Sequence, residues 1–189
     1  MITIALAKGR LAKDGLNLFD KAGISCPEYK KNSRRLVFTS EDGQYRFIMV
    51  KPSDVPTYVE RGVADIGIVG KDTLLEEGRE LYELLDLKFG KCKMAVAGFA
   101  DKKRDLITNS NTRVATKYPN IAHIHFTEKG EIVEIIKLNG SVELGPIIGL
   151  SDIIVDIVES GKTLEENGLV VLEEIRPIPG RLEVNQVSL

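Results

Sequence analysis

Short apolar runs alternate along the chain with stretches in which apolar residues recur at helical spacing. Ile2–Ala7 is an apolar run of strand length and reads as a buried strand. Lys8-Gly9-Arg10 interrupts it. Leu11, Gly15, Leu18, Phe19 and Ala22 then follow a helical period up to Gly23, where a C-cap belongs. Leu36–Thr39 and Tyr45–Val50 read as strands around a Glu41-Asp42-Gly43 turn. Ser53 stands where it can cap a helix running to Arg61, with Gly62 as its stop. Asp65–Val69 is a strand ending at Gly70. Lys71-Asp72-Thr73 opens another short helix ending near Gly78, and the charged run Glu76–Glu80 reads as its solvated end.

The second half repeats this grammar. Arg113–Ala115 is strand-like, and Thr116-Lys117-Tyr118-Pro119 leads to a helix whose start the sequence does not mark. Ile132–Leu138 and Ser141–Leu144 look extended. Ile153–Val158 is a strongly apolar strand broken only by Asp156. Ser160–Asn167 is a short helix stopped by Gly168, and Leu169–Ile175 reads as the final strand before a Pro/Gly cluster at 177–180. Strands followed by helices predict an α/β fold of mainly parallel sheets flanked by helices. The polar segment Asp101–Asn111 and the late Pro/Gly cluster suggest two lobes. The crossing is expected within Lys91–Ala97 and the return within Ile175–Gly180. That assigns 1–93 and 176–189 to one lobe and 94–175 to the other. Two lobes would leave a cleft, where ligands gather at the carboxyl ends of strands.

Composition narrows the functional classes. The 189 residues are 43% apolar and 29% charged, with a net charge of −2. That balance lacks the basic surplus of a nucleic-acid binder, although a local basic pocket for a polyanionic metabolite is compatible with it. No apolar stretch approaches the ~20 residues that span a membrane. The opening apolar run is too short for a secretory leader, so a cytoplasmic location is expected. Cys26 and Cys92 are isolated from each other and from any Cys/His cluster, and read as reduced thiols rather than zinc ligands. His123 and His125 alternate across an apparent strand or loop without an acidic neighbour in sequence. They read as surface or half-buried residues.

The most informative segment is Val155-Asp156-Ile157-Val158-Glu159-Ser160-Gly161-Lys162-Thr163-Leu164. A strand carrying one acid runs into a small-residue turn and then a helix. Backbone N–H groups, the Ser160 and Thr163 hydroxyls and the helix N-terminus can hold one phosphate there. Gly161 permits close approach, and Asp156 can accept hydrogen bonds from sugar hydroxyls. Thr163 and Glu166 also have capping-box spacing, so a plain helix start fits the same residues. Gly161-Lys162-Thr163 imitates the end of a P-loop, but the position that pattern requires to be glycine is Asp156. Lys8-Gly9-Arg10 places a glycine between two cations at a strand end, suited to polyphosphate or simply to a solvated loop. Lys51 follows another strand end, ahead of Pro52 and Pro56, and faces whatever fills the cleft. Gly67 and Gly70 allow close approach or tight packing there. Arg34 and Arg35 precede a strand, where one of them can reach the cleft.

Together these segments resemble the ATP phosphoribosyltransferases that begin histidine biosynthesis. The resemblance rests on KGR at 8–10, DVPTYVERGVADIGIVGKD at 54–72 and RVATKYP at 113–119. It continues through GSVELGPIIGLSDIIVDIVESGKTLEENGL at 140–169 and ends at Asn185. Within the 140–169 block, Glu143, Gly149, Asp156, Ser160-Gly161 and Thr163-Leu164 stand at the family's spacing. The resemblance implies a two-lobed fold like that of bilobed solute-binding proteins, each lobe a mainly parallel or mixed sheet flanked by helices. It implies attack of ATP N1 on C1 of 5-phosphoribosyl 1-pyrophosphate, with Mg²⁺ carried mainly by substrate phosphates. Asp156, Glu159, Ser160, Gly161, Lys162 and Thr163, with Glu143, would bind the donor. Lys8, Gly9, Arg10, Arg34 or Arg35, and Gly70 to Asp72 would face ATP or pyrophosphate, and Arg10, Lys51 and Asp156 would serve catalysis. Two departures stand out: lysine at 51 replaces the family's usual arginine, and the sequence stops before the C-terminal helix or regulatory domain of relatives. Short-form relatives associate with a histidyl-tRNA-synthetase-like subunit, so a homodimer or such a hetero-oligomer is expected, without nucleic acid or membrane. The alternative is a non-catalytic bilobed module that binds an anion.

Overall fold

A computed structural model describes residues 1–30, 35–89, 92–103 and 111–184. Its elements run β1 (Ile2–Ala7), α1 (Arg10–Lys21), α2 (Pro27–Lys30), β2 (Val37–Thr39), β3 (Tyr45–Val50) and a 3₁₀ turn (Pro52–Asp54). Next come α3 (Val55–Glu60), β4 (Ile66–Gly70), α4 (Lys71–Glu77), β5 (Tyr82–Asp86), β6 (Cys92–Gly98) and a second 3₁₀ turn (Ala100–Lys103). Then follow β7 (Thr112–Thr116), α5 (Pro119–Glu128), β8 (Val133–Lys137), α6 (Leu144–Ile147), β9 (Ile153–Val158), α7 (Lys162–Glu166), β10 (Val170–Ile178) and β11 (Gly180–Val184). The chain divides into two compact units, Met1–Gly90 with Pro179–Leu189, and Lys91–Ile178.

The first unit holds a six-stranded sheet in the order β2-β3-β1-β4-β11-β5. β1 runs parallel to β3 and β4, while β2, β11 and β5 each pair antiparallel with a neighbour. β1 is apolar except for Thr3, because both of its faces are covered. Ile4 and Leu6 pack with Ala12, Leu16, Phe38, Phe47 and Ile68. Ala5 and Ala7 pack with Val55, Val59, Ala64 and Val69 on the other side. Helix α1 ends as its glycine predicts. Gly23 has φ 85°, its N–H donates to Asp20 O, and Ile24 N–H donates to Phe19 O, which is a Schellman motif.

The second unit holds a five-stranded sheet in the order β10-β6-β9-β7-β8. β9, β7 and β8 are parallel, and β6 pairs antiparallel with both β9 and β10. One face carries Ala95, Ala97, Ala115, Ile154 and Val158 against Val142, Leu164 and Leu169. Both sheets are thus mixed, with their parallel strands grouped around β1 and β9.

Several local expectations change. Residues 141–144 form a turn and the start of α6 rather than a strand, Ser141 taking φ 48°. The strand expected over Leu169–Ile175 continues to Ile178, where it still pairs with Cys92, and β11 follows it as the last described strand. His123 and His125 lie on helix α5. Their spacing of two disguised a helix whose buried residues are Ile121, Ala122 and Phe126. Ser53 does not cap α3. Its hydroxyl donates to Asp54 Oδ1 at 3.3 Å, and the Pro52–Asp54 turn intervenes before α3 begins at Val55. The charged run at 76–80 is only partly solvated: Arg79 is half-buried, with Nη1 2.6 Å from Glu60 Oε2. Among the described residues, no helix is long and apolar enough to cross a membrane.

Candidate functional site

In the first unit, three parallel strands end side by side. β1 delivers Lys8-Gly9-Arg10, β3 delivers Lys51, and β4 delivers Gly70-Lys71-Asp72. The Lys8 N–H donates to Val50 O at 2.9 Å, fastening the first loop to the end of β3. Gly9 adopts φ 106°, ψ −147°, a region open essentially only to glycine. It turns the chain sharply, so that α1 begins at Arg10. The first turn of α1 has neither an acidic residue nor a side-chain cap. Its leading N–H groups and the positive end of a 12-residue helix therefore stand beside Lys8 and Arg10. Lys51 is exposed and extended, at φ −66°, ψ 147°. Gly70 is buried, and Asp72 Oδ1 occupies the space that a Cβ there would take. The Asp72 carboxylate thus folds back over the end of β4. Arg34 lies outside the described residues, as does Asn185. Arg35 is exposed, 3.5 Å from Glu28.

The loop at 70–72 is anchored by residues the sequence did not single out. Lys71 N–H donates to Pro179 O, and Lys71 Nζ pairs with Glu83 Oε1 on β5. Arg181 on β11 lies with Nε 3.5 Å from Glu83 Oε2 and Nη1 3.5 Å from Asp86 Oδ2. Only the pairing of β11 between β4 and β5 brings these groups together. No local motif announces them.

In the second unit, β9 carries Asp156 on the same face as Ile154 and Val158. Asp156 is paired in register with Ala95 on β6. Ala95, Ala97 and Ala115 keep that face shallow beside a half-buried carboxylate. Asp156 Oδ1 accepts the Ile157 N–H at 2.8 Å. The turn then runs through exposed Glu159 and Ser160 to Gly161, at φ 79°, ψ −6°. Gly161, not Thr163, is the N-cap residue of α7. The capping-box reading therefore fails, and the exposed Thr163 hydroxyl is directed to no cap bond. Ser160 Oγ accepts the Lys162 N–H at 3.4 Å. With five residues, α7 adds little macrodipole, so anion affinity here would come from the turn's own N–H groups, hydroxyls and Lys162.

The neighbouring strand end is locked as well. Thr116, fully buried at the end of β7, donates to Val155 O at 2.6 Å and accepts the Tyr118 N–H at 2.8 Å. This fixes the departure of the chain from β7 beside β9. Glu143 is half-buried just before α6. Gly149 has φ 77°, and its carbonyl accepts from Arg113 Nη1 at 3.0 Å. Arg113 also grips Asp152, with Nη2 3.2 Å from Oδ1. The hydrogen-bonded carboxylate holds Arg113 above the usual arginine range. This pair clamps the entry ends of β7 and β9, opposite the turn. His125 Nε2 lies 3.6 Å from Glu173 Oε1, an acidic neighbour supplied by β10. Cys26 is buried, its Sγ donating to Thr39 O at 3.7 Å, and Cys92 is half-buried.

Residues 51–189 match the sequence profile of the family HisG: ATP phosphoribosyltransferase. The chain belongs to the ATP phosphoribosyltransferase family. It is 61% identical to the ATP phosphoribosyltransferase of Lachnoclostridium phytofermentans, over all of this chain and 88% of that protein. It is 58% identical to that of Caldanaerobacter subterraneus, over all of this chain and 89% of that protein. Among solved structures, the ATP phosphoribosyl transferase (HisG:HisZ) complex from Thermotoga maritima superposes with a TM-score of 0.85 at 39% identity. That match covers all of this chain and 89% of the other. The VFT2 domain of Bordetella pertussis BvgS, at 11% identity and TM-score 0.62 over 99% of this chain and 81% of that one, shares the fold. The ATP phosphoribosyltransferase family thus shares its periplasmic-binding-protein-like architecture with such domains.

Proposed function

We propose that the protein transfers the 5-phosphoribosyl group from 5-phosphoribosyl 1-pyrophosphate to N1 of ATP, releasing pyrophosphate in the first step of histidine biosynthesis. Full-length identity to ATP phosphoribosyltransferases carries this reading and disfavours a module that only binds an anion. The Glu159–Thr163 turn, with its left-handed Gly161, suits the 5′-phosphate of the donor. Asp156, on a face lined by alanines, suits the ribose hydroxyls, with Glu159 and Glu143 as further polar contacts. In the first unit, Lys8, Gly9, Arg10 and Lys51, with the loop Gly70 to Asp72, form the cationic group that suits ATP and pyrophosphate.

The chemistry asks little of a general base, since N1 of adenine is already nucleophilic. As the C1–O bond breaks, positive charge grows on the ribose and negative charge on pyrophosphate. Arg10 and Lys51 would meet the latter, and one such preorganised contact is typically worth about 3–4 kcal/mol. Mg²⁺, when bound, supplies further neutralisation of phosphate charge. No cluster of three or more His, Cys, Asp or Glu side chains that could cage a metal occurs among the described residues. Substrate oxygens with at most one carboxylate, such as Asp156, fit the manner in which Mg²⁺ is usually held. Because the Thermotoga maritima relative is a HisG:HisZ complex, a homodimer or a hetero-oligomer with a histidyl-tRNA-synthetase-like subunit is proposed here too. The test is incubation with ATP, the donor and Mg²⁺. The expected result is phosphoribosyl-ATP, followed by its ultraviolet absorbance; binding of both substrates without turnover would overturn the reading.

A further inference from the structure

Glu183 on β11 is fully buried, and neither carboxylate oxygen has a partner among the described residues. The sequence makes room for it. Glu183 is paired in register with Gly67 on β4, and a Cβ on Gly67 would stand 2.6 Å from Glu183 Oε1 and 2.8 Å from Val59 Cγ2. The carboxyl therefore lies in a niche formed by a missing side chain, beneath α3. On its other side it is in register with Glu83, the residue that holds Lys71 and Arg181. Burial, and secondarily the charge of Glu83, push the Glu183 carboxyl up to about 8.

Among the described residues, no cation pairs with Glu183. β4, over Ile66–Gly70, carries no titratable side chain. α3 carries Tyr58 and Glu60, and Glu60 is engaged by Arg79. β5 carries Tyr82, Glu83 and Asp86; β11 carries Arg181, shared between Glu83 and Asp86. Once ionised, Glu183 would repel Glu83, its partner in register on β5.

We propose that Glu183 is a positioning residue: as a neutral carboxylic acid it leaves Glu83 alone to hold Lys71 and thereby sets the loop at 70–72. Its ionisation loosens that loop. The consequence for activity rests on Gly70 and Asp72 binding substrate, as proposed for this family member; the consequence for the loop does not. The sign follows from linkage. Below the ordinary glutamate range, both folded and unfolded chains hold the proton. As pH rises from there to about 8, only the unfolded chain releases it, so stability falls; above that it levels.

The experiment compares the full chain with Glu183→Gln from about pH 6 to about pH 9.5. It measures melting temperature, amide exchange at Lys71–Thr73 corrected for intrinsic rate, and KM for both substrates. The wild-type melting temperature should fall towards alkaline pH. Its loop exchange should quicken, and KM for at least one substrate should rise several-fold above pH about 8, while Glu183→Gln stays flat. Parallel behaviour of the two proteins overturns the proposal. A melting difference without an exchange or KM difference reduces Glu183 to packing and equally overturns it. Exchange also decides the matter if the chain proves inactive. Should Glu183→Gln fail to fold, infrared spectra of the wild type decide it: a protonated-carboxyl band at neutral pH must fade as pH rises through about 8, and its absence at neutral pH rejects the idea.

Discussion

Gly161 and Thr163 are the central residues of the turn proposed to hold the donor's 5′-phosphate. Gly161 holds φ 79°, which any other residue would adopt only under strain of about 1–3 kcal/mol, and Thr163 presents a hydroxyl not spent on capping. Thr163→Ala and Gly161→Val should therefore weaken donor binding far more than ATP binding. Loss of one charge-assisted hydrogen bond is worth about 1.5–3 kcal/mol, roughly ten- to a hundred-fold in affinity. Calorimetric titration of each substrate reads this directly, and equal losses for both would remove the 5′-phosphate from this turn. Gly161 was legible in the sequence because the apolar strand, the small-residue turn and the helix that define its position are consecutive in the chain. Glu183 was not legible. Nothing near it in sequence tells that Gly67 and Glu83, far away along the chain, become its neighbours.

At the scale of elements, the sequence announced β1, β3, β4, β7 and β9 together with the edge strands β2, β8 and β10, and it missed β5, β6 and β11. β1, β4 and β9 bury both faces and therefore read as apolar runs, interrupted only by Thr3 in β1 and Asp156 in β9. β5 and β11 are different. β5 is an edge strand with Tyr82, Leu84 and Leu85 exposed, and β11 alternates Arg181 and Glu183 with Leu182 and Val184. Their short, charged patterns do not stand out from loops. The β4–β11 contact is nevertheless close, because Gly67 lets the Glu183 carboxyl and Val59 occupy the space over it. Gly67→Ala should destabilise the protein by about 1–3 kcal/mol through overpacking. Denaturant unfolding checks this, and an unchanged midpoint would show that the niche relaxes freely. Pairing Gly67→Ala with Glu183→Ala should restore part of the loss, since the clash partner is then gone.

At the scale of the whole molecule, the first unit is discontinuous in sequence. Its sheet is completed by β11, which returns after the second unit has ended at Ile178. The loops proposed to bind ATP and pyrophosphate belong to this unit, and the turn proposed to bind the donor belongs to the other. The proposed hetero-oligomer therefore predicts that histidine leaves the isolated chain uninhibited and inhibits it once the histidyl-tRNA-synthetase-like subunit is added. The coupling between a histidine site on one chain and catalysis on the other should be about 1–3 kcal/mol, the usual range for allosteric pairs. Initial rates over a histidine titration, with and without the second subunit, test this. Saturable inhibition of the isolated chain would place the sensor here instead.

What the sequence determined by itself was the α/β alternation, the strands other than β5, β6 and β11, and the two glycine-containing loops at strand ends. Those features rest on local physics: apolar period, cap residues, and backbone conformations that only glycine reaches easily. The same residues carried the resemblance to ATP phosphoribosyltransferases. Tertiary structure decided what depends on partners distant in the chain. It placed β11 between β4 and β5, joined Lys71 to Glu83 and Arg181, clamped Arg113 to Asp152, and turned residues 141–144 from an expected strand into the start of α6. Strand pairing and carboxylate ionisation depend on what lies across the sheet. No window of neighbouring residues contains that information.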